Sequence, residues 1–191
     1  DRAADVASAR RQLEERRGRV LEDEDLWETW SATFVELYLI ERPLPDHGLP
    51  PAALALADET DAAQRSAIRA WLTSHRSLFE IHALGAGRVE VVDVIGGAEI
   101  AVSEQRTFHG VATGDMIEAR IIGFGGELYF GRAFVFHPSE ASDAIGERIA
   151  RERDGGRAPA DILDLLARLR LRCDRYRHVP APRIYCEEAG T

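Results

Sequence analysis

From Ser77 to His137 apolar and polar residues alternate with a period of two, while before and after that stretch apolar positions recur every three or four residues. The change of period predicts a β region between two helical ones. Five strands fit the alternation, over 78–84, 88–95, 98–104, 115–123 and 127–137. Glycines stand at three of their joints, at Gly85 and Gly87, Gly96-Gly97 and Gly125-Gly126, and supply the positive φ that short hairpins need. Three strands in a meander, a longer connection and a closing hairpin predict an α+β chain built on a small five-stranded antiparallel β-barrel, OB-like or related.

The flanks read as helices. Residues 1–76 form an N-terminal helical region, in which Ala3 to Leu21 carries few apolar residues and suits a surface helix or coiled-coil partner. Trp27, Trp30, Phe34, Leu37 and Tyr38 mark a second helix, with the acidic run before it suiting its positive end and Pro43 and Pro45 stopping it. A short Ala-rich segment follows, then a helix from Asp61 to His75, capped by Thr60, with Ala63, Ile68, Trp71 and Leu72 turned inward. The barrel occupies 77–138. Two C-terminal helices, to about Arg153 and from Asp161 to His178, are expected to pack on the rest, and Pro180 and Pro182 predict an extended tail over 179–191.

Charge changes the picture more than composition does. The chain of 191 residues has a net charge of −9, which disfavours non-specific binding to nucleic acid. All 24 basic residues are Arg, with no Lys and no Asn, a bias that suits a GC-rich bacterial genome and weakens Arg abundance as a binding signal. Cys173 and Cys186 lack CxxC spacing, so neither zinc nor a disulfide framework is signalled, and a reducing, cytoplasmic setting is the default. No run reaches the length of a membrane span. The chain starts at Asp1 and not at Met, which fits a fragment or processed product and leaves upstream targeting unseen.

The stretch GDMIEAR at 114–120 concentrates candidate chemistry. Alternation sends Asp115, Ile117, Ala119 and Ile121 to one face and Met116, Glu118, Arg120 and Ile122 to the other. Glu118 and Arg120 are therefore expected to pair across a solvated sheet surface. His109, Asp115 and Glu118 could form an acid/base cluster, but a lone loop His without a partner motif is more simply solvated, and no catalytic residue is assigned. The six histidines are scattered without ligand spacing, so no metal is expected. There is no GxSxG or SxxK, and the glycines are hairpin turns, not phosphate loops, so no cofactor is expected.

Two features suit binding. Phe130, Phe134 and Phe136 share one face of the fifth strand with Arg132 among them, a pattern that can stack bases of a single strand, although a small barrel also needs such side chains as filling. Arg168, Arg172 and Arg175 form a basic stripe on the last helix, with Arg170 and Arg177 nearby, suited to RNA, an anionic surface, an acidic partner or the chain's own EDED at 22–25.

The segments HRSLFEIHALGAGRVEVVDVIGGAEIAVSE and GDMIEARIIGFGGELYFGRAFVFHP together resemble a barrel segment of uncharacterised bacterial proteins, some of which carry a SEC-C zinc motif. The likeness covers about residues 75–138 and rests on turn glycines and alternating apolar positions. The SEC-C cysteines are absent, so the resemblance implies a fold and no zinc or translocase role. The leading expectation is a non-enzymatic interaction or regulatory protein with a protein partner, self-association included. The alternatives are a single-stranded nucleic-acid-binding barrel and an enzyme with an unrecognised pocket.

Overall fold

A computed structural model describes residues 2–106 and 110–187. Its helices are α1 (Arg2–Arg17), α2 (Trp27–Ile40), α3 (Pro51–Asp58), α4 (Ala62–Leu72), α5 (Ser142–Asp154), α6 (Pro159–Arg175) and α7 (Ala181–Cys186). The strands are β1 (His75–Gly85), β2 (Arg88–Asp93), β3 (Glu99–Ser103), β4 (Met116–Phe124), β5 (Glu127–Phe130) and β6 (Val135–Phe136). The class is α+β, as the change of period predicts.

Strands β1 to β5 close into a barrel in the order β1-β2-β3-β5-β4, with β4 returning to pair with β1. One correction follows: the barrel is mixed, because β3 and β5 pair in parallel at Ser103 and Tyr129. The first strand offers one edge to each of two neighbours, and its register against β2 slips between Ile81 and Ala83, a bulge that bends the strand. Its first half lies on β4 and its second on β2. Phe79, Ile81, Val91, Val102, Ile117 and Phe130 fill the interior.

The fifth strand is shorter than its alternation suggests. After Phe130 the chain leaves the ladder at Gly131, whose N–H still reaches the Arg120 carbonyl at 2.7 Å. The next two N–H groups, of Arg132 and Ala133, donate instead to Glu36 Oε1 on α2 at 3.2 and 3.3 Å. A Cβ on residue 131 would stand 3.0 Å from that oxygen, so glycine permits the approach. The strand then resumes briefly as β6 beside β4.

A second core lies outside the barrel, where Leu78 and Met116 meet Ile145, Leu166, Ile184 and Tyr185 of the C-terminal helices. Within the expected extended tail, residues 181–186 fold into α7, with Ile184 and Tyr185 fully buried. Pro182 sits in the first turn of that helix, where a missing N–H costs nothing. Asp61, not Thr60, caps α4, accepting from the Gln64 N–H at 2.8 Å. The first helix is docked, with Ala9, Leu13 and Arg17 buried. Among the described residues no helix is long and apolar enough to cross a membrane.

Candidate functional site

Residues 116–122 of β4 are buried on both faces. One face fills the barrel and the other lies under helices, so Glu118 and Arg120 do not meet on a solvated surface. Arg17, at the end of α1, grips Glu118 with two bonds of 2.8 and 2.6 Å, and Arg76 of β1 adds a third at 2.9 Å. Burial alone would raise the Glu118 carboxyl, but the Arg17 and Arg76 charges hold it at about 2. Arg120 turns to Glu36 at 3.3 Å, and also to Glu41 and Ser74. Asp164 of α6 joins through Arg16 at 3.2 Å and Arg17 at 3.5 Å, and burial raises its carboxyl. This buried seam ties α1, α2 and α6 to the barrel and is structural.

Beside the seam lies an open groove of about 750 Å³ between α2, α3 and α4. Its walls are apolar: Val35, Leu39 and Ile40 of α2, Ala52 of α3, and Ile68 and Trp71 of α4. Val35 and Leu39 stand one turn apart and remain 50% and 43% exposed, although most of α2 packs inward through Trp30, Phe34 and Leu37. Glu36 lies at the groove's floor, but its charge is already met by Arg120 and by two N–H groups. Arg132 borders the groove next to it and is exposed. Among the described residues its guanidinium has no carboxylate or hydrogen-bond partner, and Glu28 borders the groove two turns away along α2. An apolar trough with few polar groups at its margins is the usual form of a binding site.

The remaining residues singled out in the sequence fall elsewhere. Phe130 is buried in the barrel, Phe134 packs edge-on against it at 5.5 Å and Phe136 stacks on Phe134 at 6.0 Å. Arg106 lies over the Phe134 ring at 4.9 Å. The basic stripe is engaged within the chain: Arg168 bonds the Arg16 and Glu15 carbonyls, Arg172 pairs with Glu187 at 2.6 Å, and Arg175 pairs with Glu24 at 2.8 Å. Arg177 reaches Asp25 at 3.1 Å, so Glu24 and Asp25 of the EDED run are met by Arg175 and Arg177.

Among the described residues, the other polar clusters hold turns and strand ends in place. Ser77 Oγ donates to Asp93 Oδ1 at 2.5 Å and His75 Nε2 lies 2.7 Å from Oδ2, but the carboxylate sits between hydroxyl and imidazole, so the imidazole cannot take the hydroxyl proton. Asp93 also accepts the N–H groups of Ile95 and Gly96 and so fixes the β2–β3 turn. Asp115 accepts the Ala112 N–H at 2.8 Å in a turn, Glu118 is held in the seam, and His109 lies outside the described residues. Among the described residues no group of three or more His, Cys, Asp or Glu could hold a metal ion.

The chain matches no protein-family model, no curated protein and no solved structure. The groove had a sequence signal that periodicity obscured. Helix α2, WETWSATFVELYLI, is apolar nearly all round, and a helix of that kind needs cover on more than one side.

Proposed function

We propose that this is a non-enzymatic interaction protein, in which the barrel and its buried charge seam hold a groove that receives an apolar segment of a partner protein. The observation that carries this reading is the pair Val35 and Leu39, exposed one turn apart over a trough walled by Ile68 and Trp71. Exposed apolar surface gathered in a concave site favours association. The half-buried Cys173 and exposed Cys186, both free thiols, suit the reducing, cytoplasmic setting we propose for it.

The reading is tested by co-precipitation from source-cell extract with the native chain, a Leu39→Arg variant and an Arg151→Glu control far from the groove. A bound protein should be retained by the native chain and the control and lost with Leu39→Arg. Retention that ignores position 39 would assign the interaction to another surface. Because Leu39 is exposed, the substitution should leave the melting temperature nearly unchanged.

A further inference from the structure

Resting on that reading, we propose that the groove takes one amphipathic helix of about three turns that presents an acidic side chain to Arg132. Length comes first. The groove runs along α2 from Glu28 to Ile40, about 18 Å at the helical rise per residue. That is the span of three helical turns.

Width decides between occupants. A volume of about 750 Å³ spread over about 18 Å leaves a mean cross-section of about 40 Å². A helix with its side chains, 10–12 Å across, has a section of roughly 80–110 Å². A helix sunk to about half its depth fills the trough, whereas a single extended acyl chain leaves much of it empty. The walls suit such a guest, since Ala32, Val35 and Leu39 repeat at three- and four-residue steps and offer holes to leucine-like knobs.

Charge sets the remaining chemistry. Glu36 is neutralised from within, so among the described residues the uncompensated charges at the groove are the Arg132 guanidinium and, two turns away, Glu28. A carboxylate can accept from the Arg132 fork in a charge-assisted pair, and a basic side chain there would be repelled. The guest is thus acidic where it meets Arg132 and apolar along its buried face.

The test uses the full chain and three helix-stapled peptides of fourteen residues, alike in their leucine face and bearing Glu, Gln or Lys near one end. Affinities are read by fluorescence anisotropy at low and high salt. The Glu peptide should bind at least about tenfold more tightly than the Lys peptide, Arg132→Gln should erase that difference, and Leu39→Arg should abolish binding of all three. Equal binding of the three to the native chain, lost with Leu39→Arg, would overturn the charge selectivity and leave the groove as the interaction surface. No binding by any peptide would overturn the helical guest. If co-precipitation also ignored position 39, the reading of the groove itself would fall.

Discussion

Arg17 and Glu118 lie 101 positions apart in the chain and meet in a two-bond ion pair of 2.8 and 2.6 Å, with side chains 1% and 3% exposed. Arg17 closes the first helix and Glu118 is the third residue of β4, the strand that pairs with β1, β5 and β6. The contact fixes the N-terminal helical layer to the barrel. The groove's own wall α2 packs on α1 through Phe34 and Leu37 and is tied to the barrel separately, through Glu36 and Arg120.

Breaking the pair from one side leaves a charge buried without its partner. Arg17→Met or Glu118→Gln should each destabilise the chain by about 3–5 kcal/mol in urea unfolding. The double substitution should cost clearly less than the sum, since neither member of the pair is left facing an absent partner and Arg76 and Asp164 keep Glu41 and Arg16, and a double-mutant cycle measures the difference. Strict additivity would mean that the two side chains do not act as a pair.

The turn that delivers Arg17 is equally specific. Gly18 has φ +94°, and a Cβ there would stand 2.7 Å from Leu171 Cδ2 of α6. Gly18→Ala should cost more than about 1 kcal/mol, from backbone strain and from displacement of Leu171. A melting temperature equal to that of the native chain would show that the junction of α1 and α6 is looser than described.

Acid should unfold the protein in a predictable window. His137 is pushed down to about 4 by burial, with Nδ1 2.7 Å from the Tyr185 hydroxyl. Between about pH 6.5 and 4 the unfolded chain binds a proton that the native site refuses, so stability is full above 6.5 and falls as pH drops through that range. The loss is about 3 kcal/mol by pH 4. Glu118, held at about 2, adds a further loss that begins below its unfolded value near 4.5. His137→Gln should flatten the upper part of the profile and leave the lower part in place, as read by unfolding at stepped pH.

Short single-stranded DNA and RNA should bind weakly or not at all, even at low salt. Phe130 is inside the barrel, and Arg168, Arg172 and Arg175 are engaged within the chain. Tight binding that weakens with salt would point to another basic surface.

The barrel was legible because glycine turns and period-two alternation are local signals. The alternation also separated Asp115 from Glu118 and Arg120. What it could not show was what covers each face: Glu118 and Arg120 look like solvated positions until helices from both ends of the chain fold over them. Parallel pairing of Ser103 with Tyr129 is likewise a product of closure and leaves no mark in either strand. Pro180 and Pro182 misled because proline starts a helix as readily as it extends a chain, and only the burial of Tyr185 decides between them. The pairing of EDED with the arginine stripe could be weighed from charge alone, whereas the groove needed the relative placement of α2 and α4.

The groove's role is tested most directly by a photo-reactive amino acid placed at position 39 of the full chain in its native cells, with position 151 as the outward-facing control. The account predicts a discrete protein adduct from 39 that is lost when Val35 is changed to Arg, and none from 151. No adduct at 39, or equal yields at both positions, would contradict it.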